Sequence, residues 1–318
     1  MFFDSLEVFS SIEDLGRSTD RPVFLALGMF DGVHKGHQAV LDCAKKMAGS
    51  NGVAVAFTFP EHPASYLRPE SSPRLIMDKE GKVNRLLKEG IDGIVLRNFD
   101  REFADVEALH FPAFLIARIP SLSGLCVGEN FRFGRGRNGD HELLKKIGKQ
   151  VGLQVGIVES QMVEELPVSS SRIRDALSKG CITSVNNMLG RKYEVSAFPS
   201  KGKGLGKKIG FPTINLSWNP QARPAFGVYT GRVSITGINA KQYAIANYGL
   251  RPTVEEDAKT PLFEIHLLDG LVGDINSDSK QKYTMELESF LRPEKKFDSL
   301  NDLKNQITID LKTAGELR

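Results

Sequence analysis

Two histidines that lie three residues apart, His34 and His37, are the first residues in the chain whose types and spacing suggest chemistry. They belong to a segment that starts at Gly28 and follows the apolar run VFLAL at 23–27. A helical pattern follows them, so they stand where a helix N-terminus offers free N–H groups and a positive dipole to an anion. Two imidazoles there can donate hydrogen bonds to phosphate oxygens and stabilise the charge of a leaving pyrophosphate. We therefore expect a phosphate site. Polar surface histidines are the alternative, and a zinc site lacks a third ligand nearby.

Two later segments of the first half contain further polar groups. VGENFRFG, at 127–134, follows another apolar run, and SSSRIR, at 169–174, places three serines and two arginines at the start of a predicted helix. Serines at a helix start are usually caps. Arginine in a first helical turn is unfavourable with the helix dipole unless an anion is bound. This conflict at Arg172 and Arg174 favours a second phosphate-binding segment.

The second half contains a glycine- and lysine-rich stretch, GKGLGKKIG, in which Gly202, Lys203 and Gly206 are the candidate phosphate-binding residues. Backbone amides and lysines suit ATP phosphates, although G-x-x-x-x-G-K-[ST] is absent and the stretch is not a Walker A loop. Taken alone, such a stretch is more often a solvated loop. In an extended strand, Thr213 and Asn215 then face the same side of the chain. Their neutral oxygens could share Mg²⁺ with phosphates, or they could equally form a strand surface.

A single acidic residue, Glu264, lies in the alternating run FEIHLLD at 263–269. The apolar members of that run face one side, while Glu264 and His266 face the other. A strand glutamate is usually an exposed charge. An enzyme that phosphorylates an alcohol, however, needs a carboxylate that takes the hydroxyl proton.

Buried strands and helices alternate through the first half, which predicts βαβ units and a parallel sheet. The predicted strands are 23–27, 53–59, 91–96, 122–128 and 153–158, and the predicted helices include 79–87, 140–150 and 171–177. Ligands of such sheets bind beyond the carboxyl ends of the strands. The glycine loop with its two histidines occupies that position.

Short alternating strands replace the helices in the second half and predict a small antiparallel barrel or sandwich. These strands are 193–198, 227–235, 242–248, 263–269 and 283–291. A final helix is capped by Ser299, with Asp302 three residues on. The change in pattern falls near residue 187, so we expect domains at 1–186 and 187–318.

The composition indicates a globular protein, because 41% of its 318 residues are hydrophobic and 25% are charged. A net charge of +3 is too small to indicate a nucleic-acid-binding protein. The N-terminus has no basic region before an apolar stretch, no run is long enough to span a membrane, and the three cysteines have no metal-binding spacing. We expect a cytoplasmic protein with neither nucleic acid nor membrane as partner. The oligomeric state stays open.

The four segments 23–37, 59–63, 127–140 and 168–174 resemble the nucleotidyltransferase module of bacterial bifunctional riboflavin kinase/FAD synthetases. The resemblance implies a Rossmann-like domain in which His34 and His37 bind ATP phosphates and stabilise the transition state. Asn130 would position nucleotide or flavin, and Arg174 would hold the triphosphate. Further ATP contacts are implied for Gly28, Phe30, Asp31, Gly32, Gly36, Ser169, Ser170 and Ser171. Phe59, His62 and Pro63 are implied to lie in the segment that lines the flavin-phosphate side of the site.

The second half resembles the riboflavin kinase module of the same family through GKGLGKKIGFPTINL, FGVYTG, ANYGLRPTV, FEIHLLD and FLRPEKKF. This resemblance implies a small antiparallel β-barrel with a terminal helix, in which Thr213 and Asn215 bind Mg²⁺-ATP. Glu264 would be the base on the ribityl hydroxyl, and Arg292 would belong to a flap near the flavin. The implied substrates of the two reactions are ATP, riboflavin and FMN, with Mg²⁺ accompanying ATP.

Some positions depart from the family pattern, and two alternatives stay open. Ala197-Phe198-Pro199 replaces a glycine–x–valine stretch, Gly270 replaces an aromatic residue, and 273–281 is unusually polar. One alternative is a single-activity FMN adenylyltransferase with a degenerate kinase barrel. The other is a flavin or nucleotide sensor without catalysis, against which the retained histidines, Thr213, Asn215 and Glu264 argue.

Overall fold

The chain divides into two compact units, Met1–Ser170 and Ser171–Arg318. The computed structural model describes residues 7–201, 205–235, 238–250, 261–269 and 281–317.

A six-stranded parallel sheet, in the order β1-β4-β3-β2-β5-β8, forms the centre of the first unit. Two short antiparallel pairs, β6 with β7 and β9 with β10, lie outside it. The strands are β1 (Glu7–Phe9), β2 (Val23–Leu27), β3 (Val53–Thr58), β4 (Gly93–Leu96), β5 (Leu122–Gly128), β6 (Arg132–Phe133), β7 (Gly139–Asp140), β8 (Gln154–Val158), β9 (Met162–Val163) and β10 (Leu166–Pro167).

Both faces of this sheet are covered, since separate hydrophobic clusters form from alternate residues of the central strands. Every residue of β2 and β3 is buried, which explains why these strands are continuous apolar runs in the sequence. The helices are α1 (Ile12–Ser18), α2 (Lys35–Ala48), α3 (Pro63–Leu67), α4 (Lys79–Lys88), α5 (Arg101–Ala104), α6 (Phe111–Ile116) and α7 (His141–Val151).

The strand order identifies where a ligand should bind. From β2 the chain proceeds to β3 and β4 on one side, whereas β5 and β8 lie on the other side. The order therefore reverses between β2 and β5, and a crevice at such a switch point is the usual ligand site of an open parallel sheet. The glycine loop follows β2 and the segment with Asn130 follows β5.

A seven-stranded antiparallel sheet, in the order β11-β17-β14-β15-β16-β13-β12, forms the second unit. Only Phe198 separates β11 from β12, so the chain passes directly between the two edges of the sheet, as in a barrel. Its helices are α8 (Ser170–Ser178), α9 (Ile182–Leu189), α10 (Leu205–Lys208) and α11 (Leu300–Glu316). Its strands are β11 (Tyr193–Ala197), β12 (Pro199–Ser200), β13 (Ile214–Leu216), β14 (Gly227–Ile235), β15 (Ile238–Leu250), β16 (Pro261–Leu267) and β17 (Tyr283–Pro293).

The predicted fold class is confirmed in both halves. Pro199 lies in β12, an edge strand, where a missing N–H donor is tolerated. The predicted cap of α11 is present, because the Ser299 hydroxyl accepts a hydrogen bond of 3.1 Å from the Asp302 N–H.

The helices α8 and α9 connect the parallel sheet to the barrel along the chain. The Ala225 N–H donates to the Leu177 carbonyl at the end of α8, and the Asn186 amide of α9 donates to Leu287 in β17. Both helices therefore contact the barrel, and the compact second unit begins at Ser171. A functional boundary near residue 187 stays a prediction.

Candidate active sites

The loop after β2 has a strained backbone. Phe30, Gly32 and Val33 have φ angles of 49°, 83° and 41°, and the two non-glycine residues are fully buried. A non-glycine residue in this region costs free energy that surrounding contacts must offset. One such contact comes from Thr58 at the end of β3, whose buried hydroxyl donates to the Met29 carbonyl at 3.0 Å. The core therefore holds this loop in one shape.

The two histidines are brought together at the start of α2, as predicted. His34 caps the helix, because its Nδ1 accepts a hydrogen bond from the His37 N–H at 3.3 Å. In a neutral ring this leaves the proton of His34 on Nε2. The two rings stack with centroids 3.6 Å apart and an interplanar angle of 15°. Gly36 makes room for the pair, since a Cβ there would lie 3.2 Å from the His34 ring.

The environment of His37 disfavours its charged form. Burial lowers the pKa of His37 well below its ordinary value of 6.5, and electrostatic interactions with His34 and Lys82 lower the pKa further. The ring is therefore neutral near pH 7. Its Nδ1 is buried, and the part of the chain that the structure describes offers this atom no hydrogen-bond partner.

Asp31 and Ser170 connect the strained loop to two other segments. The buried Asp31 carboxylate accepts hydrogen bonds from the main-chain N–H groups of Ile76 at 2.8 Å and Met77 at 3.4 Å. The Ser170 hydroxyl donates to the Asp31 carbonyl at 2.9 Å. The structure thus gives the Asp31 carboxylate a main-chain partner just before α4, and its predicted contact with ATP stays a prediction.

Asn130 lies at the carboxyl ends of two neighbouring strands, β5 and β8. Its amide donates to the Ser160 hydroxyl at 3.1 Å, and the Ser160 N–H donates to the Glu129 carboxylate at 3.2 Å. These bonds join the loops that follow the two strands. Asn130 is therefore on the same sheet edge as the glycine loop, where the sequence places it.

The predicted flavin-side residues follow β3. His62 caps α3 by accepting a hydrogen bond of 3.1 Å from the Ala64 N–H, and Pro63 is the first helical residue. The neighbouring surface is aromatic, since the ring of Phe59 packs edge-on against the rings of Phe57, Phe99 and Phe103. Such a wall suits a flat heteroaromatic ligand.

The segment SSSRIR, at 169–174, includes the point at which the chain passes from the first unit to the second. Ser169 and Ser170 end the first unit, whereas Ser171 and Arg174 lie in the first two turns of α8 in the second. The Arg174 guanidinium donates to the Ser171 hydroxyl at 3.1 Å. The predicted roles of Ser169, Ser171 and Arg174 at the triphosphate stay predictions.

The second unit contains a cavity of about 260 Å³ that joins most of the described residues predicted for the kinase half. Glu264 in β16 pairs directly with Asn215 in β13 on one side and with Asn247 in β15 on the other. Directly opposed residues share a face of the sheet, with Cβ atoms about 5 Å apart. The predicted base, Glu264, thus lies between two amide side chains. The cavity is lined by Gly206, Thr213, Asn247, Glu264, His266 and Arg292, among others.

The oxygen groups predicted to bind a cation have a suitable environment. Asn215 is 9% exposed, and its Oδ1 is a buried acceptor with no hydrogen-bond partner within the described ranges. Thr213 precedes Asn215 by two residues and lines the cavity. Mg²⁺ takes oxygen ligands and keeps several of them for phosphate and water. An unpaired amide oxygen, with a hydroxyl two residues earlier in the chain, fits that use.

Gly206 is the described member of the predicted phosphate loop, whereas Gly202 and Lys203 lie outside the described residues. The Phe211 N–H donates to the Gly206 carbonyl at 2.8 Å, which closes a tight turn ahead of Thr213. A Cβ on Gly206 would collide with the Phe211 carbonyl oxygen. Only glycine permits this close backbone approach.

Arg292 lines the same cavity, but its guanidinium is committed to α11. It donates to both oxygens of the buried Asp310 carboxylate, with Nε–Oδ1 at 2.9 Å and Nη2–Oδ2 at 2.7 Å. The Gln306 amide also donates to that carboxylate at 3.0 Å. This bidentate pair holds the end of β17 against the terminal helix.

Comparison with known proteins finds a family match for each half of the chain. The family model for FAD synthetase matches residues 16–172, and the model for riboflavin kinase matches residues 189–317. A bifunctional riboflavin kinase/FMN adenylyltransferase from Escherichia coli (strain K12) is 31% identical over 98% of this chain and 97% of its own. This chain belongs to the bifunctional riboflavin kinase/FMN adenylyltransferase family.

Two further relatives of this family member extend the comparison. The bifunctional riboflavin kinase/FMN adenylyltransferase of Haemophilus influenzae is 32% identical over 91% of this chain and 92% of its own. A crystal structure from Streptococcus pneumoniae, named as a macrolide-efflux protein, superposes with a TM-score of 0.84 at 28% identity. That superposition covers 98% of this chain and 99% of the other. Among the described residues of this family member, none of the helices combines the length and apolar character needed to cross a bilayer.

The structure adds residues to both sites that the sequence did not identify. Thr58, Lys82 and Asp310 are buried polar groups, and each has a partner 18 to 29 residues away in the chain. Lys82 did carry a sequence signal, because it lies four residues before the buried Leu86 on one face of α4. A lysine on the apolar face of a helix marks a buried charge that needs a partner.

The Gly206→Ala substitution is expected to lower riboflavin phosphorylation by tenfold or more. The added methyl group would force the Phe211 carbonyl away and displace Thr213 with it. Steady-state FMN production by the purified variant measures the effect, and Gly315→Ala, at an open position in α11, is the matched control. Unchanged FMN production by Gly206→Ala would show that the turn tolerates a side chain.

Acidification is expected to destabilise the first unit through His37. Because the folded state holds the pKa of His37 below 6.5, the unfolded chain binds a proton first as pH falls below that value. The contribution of His37 to the free energy of unfolding is therefore fully present above pH 6.5 and is lost as the pH falls below that value. Chemical unfolding at pH 7.5 and 5.5, followed by a probe attached in the first unit, measures the loss. His37→Asn should reduce the difference in unfolding free energy between the two pH values. A difference as large as in wild type would show that other groups cause it.

Proposed function

We propose that this family member makes FMN and FAD from riboflavin in two ATP-dependent reactions. The second unit transfers the γ-phosphoryl group of ATP to riboflavin and releases ADP. The first unit transfers the adenylyl group of a second ATP to FMN and releases pyrophosphate. The observation that carries this proposal is that each family model coincides with a polar cluster suited to its reaction, the histidine pair in one unit and the Asn215–Glu264 pair in the other.

The adenylyl transfer joins an FMN phosphate oxygen to the α-phosphorus of ATP while the bond to the β-phosphate breaks. We assign the ATP phosphates to the start of α2, where helix N–H groups and the dipole attract anions. His34 and the neutral ring of His37 are donors at the place where charge develops on the leaving pyrophosphate. Supporting ATP contacts are assigned to Gly28, Phe30, Asp31, Gly32, Gly36, Ser169, Ser170, Ser171 and Arg174.

We place FMN beside the loops that follow β3 and β5. The aromatic wall around Phe59 would receive the flavin ring, while His62, Pro63 and Asn130 lie at the same end of the sheet. This arrangement puts the phosphate acceptor and the nucleotide on neighbouring strand ends. The reaction then needs no covalent enzyme intermediate, because both substrates are held next to each other.

In the kinase reaction, Glu264 accepts the proton of the ribityl hydroxyl as that oxygen attacks the γ-phosphorus. Thr213 and Asn215 would hold the Mg²⁺ of Mg²⁺-ATP, and Gly202, Lys203 and Gly206 would contact the phosphates. When bound, Mg²⁺ neutralises charge on the transferring phosphoryl group. Arg292, fixed by Asp310, lines the cavity in which riboflavin would bind. Because both reactions consume ATP, we expect them to run in the cytoplasm.

Neither alternative is favoured. A degenerate kinase barrel would not be expected to keep Asn215 and Glu264 opposed beside a cavity, and a sensor has no need of a base there. The departures at Gly270 and 273–281 lie outside the described residues, whereas Pro199 is accommodated in the edge strand β12.

Purified protein with riboflavin, ATP and Mg²⁺ tests the proposal by chromatographic separation of the flavins. Both FMN and FAD should form, with ADP and pyrophosphate as the other products. FAD that forms only from supplied FMN would support the single-activity enzyme. Tight flavin binding without ADP or pyrophosphate would support a sensor.

A further inference from the structure

A lysine without exposed surface lies in the first unit beside the proposed adenylyl-transfer site. Lys82 of α4 is 0% exposed. Burying an ammonium group is unfavourable unless other groups compensate for the lost hydration. A residue kept at this cost should make contacts that an apolar side chain of the same size could not make.

The contacts of Lys82 connect two different loops. Its Nζ donates to the Phe59 carbonyl at 2.7 Å, which belongs to the flavin loop (59–63) after β3. Its charge interacts favourably with the Asp31 carboxylate in the nucleotide loop (28–34) after β2. Burial nevertheless lowers the pKa of Lys82 to about 8, because the Asp31 charge compensates only part of the desolvation.

A second connection links the nucleotide loop to the start of the same helix. The Asp31 carboxylate accepts a hydrogen bond from the Ile76 N–H, two residues before the Asp78 cap of α4. Lys82 and Ile76 therefore both attach α4 to Asp31. The Lys82 charge also reaches His37, the ring of which it helps to keep neutral.

We propose that Lys82 is a positioning residue of the adenylyl transfer, whose buried ammonium group holds the nucleotide loop and the flavin loop in one arrangement. This inference rests on the proposed function, because the two loops are those assigned to ATP and to FMN. Lys82 itself has no surface through which it could touch either substrate. It acts through the Phe59 carbonyl, the Asp31 carboxylate and the charge state of His37.

Lys82→Met tests the proposal, because methionine fills a similar volume without a charge or a donor. We expect kcat for FAD formation from FMN to fall at least tenfold while riboflavin phosphorylation, carried out by the other unit, stays within twofold of wild type. Lys88→Met, an exposed lysine at the end of the same helix, should leave both rates unchanged. Wild-type protein that forms no FAD would contradict the proposed function. Wild-type protein that forms FAD, with a Lys82→Met variant of equal kcat and KM, would overturn the role of Lys82 alone.

Lys82→Arg distinguishes positioning by charge from simple packing, and it decides the question if Lys82→Met does not fold. Arginine stays protonated at every pH used. In wild type, FAD formation should decline above pH 8 as Lys82 loses its proton and its attraction to Asp31. Lys82→Arg should recover part of the kcat and should lack this decline. If the Arg variant shows the wild-type decline above pH 8, the ammonium group of Lys82 does not position the loops, and the proposal fails. The titratable groups that interact with Lys82 are Asp31 and His37, and the pKa of His37 lies well below the range of this decline.

Discussion

Replacement of Glu264 by glutamine is expected to abolish riboflavin phosphorylation and to leave the conversion of FMN to FAD intact. The amide keeps the shape of the side chain between Asn215 and Asn247 but cannot accept the ribityl proton. General base catalysis contributes about 10²–10⁴-fold to such reactions. FMN production should therefore fall by roughly that factor, with KM for riboflavin changed far less than kcat.

The matched control for this variant is Glu194→Gln, which changes an exposed glutamate on β11 of the same sheet. It should leave both reactions at the wild-type rate. A Glu264→Gln protein that phosphorylates riboflavin normally would remove the carboxylate from the mechanism. Loss of both reactions in a folded Glu264→Gln protein would show that the two sites do not act independently.

Those parts of the fold that depend on local apolar patterns were predictable. The strands β2, β5 and β14 begin and end at the residues that the sequence predicts, because each is an apolar or alternating run bounded by turn residues. Short elements such as β1, α3 and α5 were missed. With three to five residues each, they have too few turns or pairs for a periodic signal, and tertiary contacts decide their conformation.

The site was predictable where its residues are close in sequence. His34 and His37 belong to one segment, and their stacking follows from the start of α2. The pairing of Glu264 with Asn247 depends instead on the register between β15 and β16, which no local pattern encodes. The family resemblance supplied Glu264 as the base. The structure supplies the reason why that position can hold one, namely two flanking amides and an adjoining cavity.

Buried polar groups were the least predictable part of the first unit. Local sequence identifies Asp31 as a member of a glycine loop, but not that its carboxylate binds the Ile76 N–H 45 residues later. The same applies to Thr58, which holds the Met29 carbonyl from the next strand. Such contacts form only after the parallel sheet brings the ends of its strands together.

His37→Ala is expected to lower FAD formation from FMN by about 10²–10³-fold, the usual cost of removing one preorganised donor to developing charge. The ring is neutral, buried on one side and stacked on His34, so it gives up little hydration when a phosphate oxygen arrives. Alanine removes the donor and the stacking partner but keeps the N–H that bonds to His34. The helix cap should survive, and the loss should appear mainly in kcat.

The comparison that separates chemistry from folding uses His110→Ala, since His110 is an exposed histidine of the same unit. That variant should form FAD at the wild-type rate, and both variants should phosphorylate riboflavin normally. FMN should then accumulate in a His37→Ala reaction started from riboflavin, because the kinase continues while its product is no longer consumed. Normal FAD yield from His37→Ala would instead place the developing charge elsewhere, with the nearby Nε2 proton of His34 as the next donor to test.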